Sequence, residues 1–188
     1  SGTGTLKMKT SNDGKWVAAS NYNDNSVSII NSENFELITN ISVGQNPRNI
    51  DFSLNDKFLY VVNSGTNEVI EVDIDKWTIS RSFKTDKGPY NCEVSRDGQK
   101  LVVTYKAAAK TGIWDIESGK ELSRINNTRK VSHGVVISPD SKFAFVSVEG
   151  VGSQPGSVDV IDLTSLKLVA QADIGKQAGG IAFWKMEN

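Results

Sequence analysis

Apolar residues in this chain recur with a period of two rather than at the three-to-four spacing of a helix. Leu6 and Met8 share one side of the segment 5–10, and Val27 and Ile29 share one side of 26–30. Elsewhere the apolar positions fuse into short runs, such as Leu59-Tyr60-Val61-Val62 and Leu101-Val102-Val103, as buried strands do. Clusters of Asn, Asp, Gly and Ser bound each run, and these residues favour turns. No helical periodicity of useful length competes, so the pattern predicts an all-β chain.

One phrase, a polar turn followed by a buried strand, occurs four times. It reads Ser11-Asn12-Asp13-Gly14-Lys15-Trp16, Ser53-Leu54-Asn55-Asp56-Lys57-Phe58, Ser95-Arg96-Asp97-Gly98-Gln99-Lys100 and Ser138-Pro139-Asp140-Ser141-Lys142-Phe143. The starts lie 42, 42 and 43 residues apart. A four-stranded β-propeller blade takes about 40–45 residues, so the spacing predicts four consecutive four-stranded antiparallel blades. They fall at roughly 5–43, 48–83, 90–125 and 133–174. An extra inner strand is expected at 178–184, where Gly180-Ile181-Ala182-Phe183 repeats the pattern that opens each blade. Asp73, Asp115 and Asp162 each end a third strand. Their recurrence once per blade assigns them to closing turns through backbone N–H groups, not to catalysis.

The residues Leu59-Tyr60-Val61-Val62-Asn63, followed by Asn67-Glu68-Val69-Ile70-Glu71-Val72-Asp73, resemble the YVTN-type β-propeller repeat, as does Ser157-Val158-Asp159-Val160-Ile161-Asp162. The resemblance covers residues 5–184. It implies kinship with bacterial and archaeal surface or periplasmic propellers, with lactonase-like enzymes, and with the haem-carrying propeller of cytochrome-cd-type nitrite reductases. The function it implies first is a non-enzymatic binding or scaffold propeller outside the cytoplasm, periplasmic or at the cell surface. A lactonase-like hydrolase or a haem-binding oxidoreductase is the alternative. Rings of this kind have seven or eight blades, and an open run of four leaves apolar blade faces bare. The expected partners are therefore the remaining blades of a longer chain or a second copy of this one, with a closed four-blade monomer as the third arrangement.

Composition narrows the chemistry further. A net charge of −1 over 188 residues lacks the basic excess of a dedicated nucleic-acid binder. Cys92, the single cysteine, allows no intrachain disulfide. No apolar run approaches the ~20 residues of a membrane-crossing helix. The sequence holds no nucleophile elbow, zinc-protease motif, phosphate loop or metal-spaced cluster, so no metal or cofactor is expected, haem remaining the alternative that the resemblance brings. Aligning the repeats puts Leu6, Arg48, Tyr90, His133 and Gly179 in one column, at the start of each innermost strand. Arg48, Tyr90 and His133 are thereby the candidate ligand-binding residues: a fixed cation, an aromatic with a polar tip, and an imidazole that titrates near neutral pH. Asp51 shares a second column with Glu93 and is expected to serve Arg48 or nearby backbone. Arg48, Lys84, Lys87, Lys106, Lys110, Arg129, Lys130 and Lys176, set against Asp24, Glu68, Asp86 and Glu149, give the same end of the blades a local basic excess, and the ligand expected there is a protein or a small anionic or polar molecule.

Overall fold

The computed structural model describes residues 2–184. Sixteen strands form four antiparallel sheets, and no helix occurs among the described residues. The first sheet is β1 (Thr5–Thr10), β2 (Trp16–Asn21), β3 (Ser26–Asn31) and β4 (Leu37–Ser42), and the second is β5 (Pro47–Phe52), β6 (Phe58–Asn63), β7 (Glu68–Asp73) and β8 (Thr78–Lys84). The third is β9 (Pro89–Val94), β10 (Lys100–Tyr105), β11 (Lys110–Asp115) and β12 (Glu121–Asn126). The fourth is β13 (Val131–Ile137), β14 (Phe143–Glu149), β15 (Gly156–Asp162) and β16 (Lys167–Ile174). In every sheet the strands pair in sequence order, which is the meander of a propeller blade.

The chain divides into two compact units, residues 1–89 with the first two blades and 90–188 with the last two. Each has its own core. In the first unit Ala18, Val27 and Ile29 of blade one meet Ile50, Leu59, Val61, Ile70 and Val72 of blade two, with Trp16 packed edge-on against Trp77 at 5.3 Å. In the second, Val102 and Ile113 of blade three meet Val135, Ala144, Val146 and Ile161 of blade four. These side chains alternate along their strands, so each blade offers one row to its partner within the unit.

A buried carboxylate in the first unit ties the outer strand to the middle of its sheet. Glu71 is 2% exposed and accepts from Tyr60 Oη at 3.0 Å, Ser80 Oγ at 2.7 Å and Arg81 Nη2 at 2.7 Å. The second unit builds the same tie differently: Trp114 Nε1 donates to Tyr105 Oη at 2.8 Å, and that hydroxyl donates to Glu121 at 2.8 Å, with Arg124 on the same carboxylate. Burial, reinforced by the neighbouring carboxylate, pushes both hydroxyls far above the ordinary tyrosine value. Gly112 is what makes room for Tyr105, because a Cβ there would stand 1.9 Å from the hydroxyl.

The turns between first and second strands are stapled within each unit. Asp56 takes a left-handed conformation, φ 53°, and its carboxylate accepts from the backbone N–H groups of Asn12 at 2.9 Å and Asp13 at 2.8 Å, in the corresponding turn of blade one. Ser141, φ 59°, repeats the device in the second unit, its Oγ accepting from Asp97 N at 3.0 Å.

Strand β4 begins only at Leu37, because Phe35 adopts φ 60° and closes the preceding turn. One expectation needs correction. The segment 178–184 is not a strand. Its aromatic and aliphatic side chains do pack on blade four, Phe183 lying 6.2 Å from Phe145 and Ile181 beside Gly134, but a strand also needs a backbone ladder partner, and none pairs with this segment among the described residues.

Candidate functional site

The innermost strands carry a repeated irregularity at the candidate column. Pairing of β1 with β2 slips between Thr5 and Lys7, that of β5 with β6 between Pro47 and Ile50, and that of β13 with β14 between Ser132 and Val135. Arg48 and His133 sit inside these bulges. A bulge frees a side chain from the alternation of the sheet and re-aims it. Hydroxyls of the second strands hold the backbone of the innermost ones: Ser20 Oγ accepts from Lys7 N at 3.2 Å, Thr104 Oγ1 from Asn91 N at 3.1 Å, and Ser147 Oγ from Gly134 N at 2.9 Å. Two of them also donate to the carbonyl of the candidate residue in the following blade, Ser20 to Arg48 at 3.1 Å and Thr104 to His133 at 2.6 Å. The positions of Arg48 and His133 are thus each set by a hydroxyl one blade upstream.

In the second unit this arrangement brings Tyr90 and His133 together, with ring centroids 4.8 Å apart and an edge-on geometry. Lys106 joins them. Its Nζ stands 4.6 Å over the centre of the Tyr90 ring and 2.7 Å from His133 Nε2. The same nitrogen lies 3.0 Å from Glu149 Oε1. His133 is 8% exposed, while Lys106, Tyr90 and Glu149 are half-buried and reach toward solvent. An aromatic face, a primary ammonium, an imidazole and a carboxylate therefore converge at one end of blades three and four.

Arg48 occupies the same column in the first unit. Its guanidinium stacks 4.9 Å from the centre of the Tyr22 ring, and its Nε donates to Ser64 Oγ at 3.2 Å. Asp51 forms an ion pair with Lys9 at 2.9 Å. Tyr22, Ser64, Lys106 and Glu149 form a second column, one residue beyond the strand ends at Asn21, Asn63 and Tyr105 and at the last residue of β14. Sequence reasoning placed Lys106 and Glu149 among loop charges and not in the site. Their spacing of 42, 42 and 43 residues, identical to that of the turn phrase, was the available signal.

Among the described residues no group of three or more His, Cys, Asp or Glu side chains is placed to hold a metal ion. Among those residues no helix is long and apolar enough to cross a membrane.

Comparison with known proteins agrees with the blade architecture. The family model described as YNCE-like β-propeller matches residues 53–143, and that described as lactonase, 7-bladed β-propeller matches residues 3–94. Among solved structures, the hydrazine synthase of Kuenenia stuttgartiensis superposes with a TM-score of 0.88 at 25% identity, over 92% of this chain and 49% of that one. The β-propeller domain of Cps50 (Swd1) from Myceliophteria thermophila superposes with a TM-score of 0.78 at 16% identity, over 96% of this chain and 57% of that one, a likeness of fold alone. The chain spans about half the length of each of these structures. No curated protein matches it. The chain is a run of β-propeller blades. The two propeller models, each over just under half of the chain, and the hydrazine synthase likeness agree with the resemblance of its repeat to the YVTN type.

Proposed function

We propose that this is a non-enzymatic binding propeller acting outside the cytoplasm, in the periplasm or at the cell surface, and that it holds an anionic or polar ligand, free or displayed on a protein, at the loop end of its innermost strands. The observation that carries this reading is the convergence of Tyr90, Lys106 and His133 from two successive blades. An ammonium can hold a carboxylate, sulfate or phosphate oxygen while an aromatic face covers the remainder of the ligand. Arg48 is the corresponding cation of the first unit, with a planar fork suited to the same groups. No cofactor is needed. The haem alternative fits less well, because Nε2 of the only histidine is already engaged by Lys106 and Glu149. The test is calorimetric titration with sulfate and citrate. Saturable binding that weakens in Lys106→Ala supports the reading, and no binding of either anion at millimolar concentration overturns it.

A lactonase-like hydrolase is the second reading, favoured by the lactonase match over residues 3–94 and by the His133–Glu149 contact at 3.0 Å, which could orient an imidazole as a general base. Turnover of a panel of γ- and δ-lactones that disappears in His133→Gln would establish it. No turnover by the wild-type protein would remove it.

A further inference from the structure

The contacts at His133 Nε2 cannot all be satisfied in one protonation state. An imidazole nitrogen carries either a lone pair or a hydrogen. With the lone pair, Nε2 accepts from the Lys106 ammonium at 2.7 Å and has nothing to offer the Glu149 carboxylate. With the hydrogen, Nε2 donates to Glu149 Oε1 at 3.0 Å, and an imidazolium beside Lys106 repels the ammonium. Tyr90 from β9, Lys106 following β10, and Glu149 at the end of β14 all face His133.

We propose that the cluster is a proton-coupled oxyanion site: the anion is taken up together with one proton, which resides on His133. In the neutral state Lys106 is occupied as donor to the imidazole. Protonation hands His133 to Glu149, releases the ammonium, and leaves two positive groups against one carboxylate beside the Tyr90 ring. Lys106 is the residue that holds the anion, His133 carries the proton, and Glu149 is the positioning residue that receives the imidazolium. The inference rests on the anion-binding reading above and adds to it a specific linkage between ligand and proton.

The test uses sulfate, whose charge does not change between pH 5.5 and 8. Sulfate affinity is expected to fall by up to about tenfold per pH unit as pH rises above about 6.5, the ordinary imidazole value. Calorimetry near pH 7.5 in two buffers of different ionisation enthalpy should show proton uptake on binding. In His133→Gln the pH dependence should vanish while weaker sulfate binding persists. In Lys106→Gln binding should be lost at both pH values. Because the chain has a single histidine, its ring nitrogens give unambiguous nuclear magnetic resonance signals. At pH 8 without ligand, Nε2 should read as the unprotonated nitrogen, and added sulfate should raise the midpoint of the His133 titration. Sulfate bound equally at pH 5.5 and 8 with no proton uptake, or an Nε2 that stays protonated at pH 8, overturns this inference and leaves the anion reading standing. Absence of sulfate and citrate binding at every pH removes both.

Discussion

The two units place different chemistry on the same backbone device. In the first, the bulged inner strand presents Arg48, a fixed cation stacked on Tyr22 and tied to Ser64. In the second, the bulge presents His133 between Lys106 and Glu149, and the trio's charge depends on one proton. The backbone irregularity and the upstream hydroxyl are shared; the side chains decide whether the position is a fixed cation or a titrating one. The same division separates the ties to the outer strands. Glu71 is enclosed and serves three donors, whereas Glu121 lies nearer the surface, with 17% of its side chain exposed.

The largest expected effect tests that second contrast. Glu71→Ala leaves the Arg81 guanidinium and the Tyr60 hydroxyl without their acceptor and should cost about 3–5 kcal/mol of stability in denaturant unfolding. Glu121→Ala should cost about 1–3 kcal/mol. Equal losses would mean that the two ties do not differ as their burial indicates. Next comes the fixed cation. Arg48→Ala should weaken any anion bound by the first unit by about 1.5–3 kcal/mol, to the same degree at pH 5.5 and pH 8. A pH-dependent loss would erase the distinction between the units. Gly112→Ala forces a methyl group onto the Tyr105 hydroxyl and should cost about 1–3 kcal/mol by thermal melting. At the equivalent repeat positions of the first unit, Ser28 and Ile70, side chains are already accommodated. The smallest effect per step concerns alkali. Tyr60 and Tyr105 hold their protons in the folded protein beyond the point where an unfolded chain, with a value of about 10, releases them. The unfolded state then binds fewer protons than the native one, so stability falls as pH rises past about 10, by about 1.4 kcal/mol per unit for each tyrosine. Absorbance titration should show at least two of the four tyrosines un-ionised until the chain unfolds.

The blade pattern was legible in the sequence because it is local. A strand, its turn and its neighbour are encoded within one repeat, and four copies in phase reinforce one another. Asp73, Asp115 and Asp162 could be recognised as turn-closing acids for that reason, and Asp162 does accept from Thr164 N at 2.7 Å and Ser165 N at 2.9 Å. The candidate site was half legible. Column alignment, which registers position along a strand, singled out Tyr90 and His133 as candidates. Lys106 and Glu149 were not, because the contact between Lys106 and His133 runs from one blade to the next, and a column reports nothing about what faces it across a blade interface. The hydroxyls of Ser20, Thr104 and Ser147 were hidden inside apolar strands, where they read as ordinary strand residues until their bonds to the innermost strands were seen. The tail at 178–184 showed the opposite failure: its pattern is that of a strand, but pairing depends on a partner that pattern alone cannot supply.

The turn staples of Asp56 and Ser141 bear on how such a chain assembles. Each holds a non-glycine residue in a left-handed conformation that costs on the order of 1–2 kcal/mol, offset by hydrogen bonds to the turn one blade earlier. The equivalent positions in blades one and three are Gly14 and Gly98, which adopt the same conformation without strain and have no side chain to reach with. Blades one and two are therefore latched as one pair and blades three and four as another, in a chain where most contacts are otherwise between neighbouring strands. Each latched pair should then open as one cooperative unit in native-state hydrogen exchange.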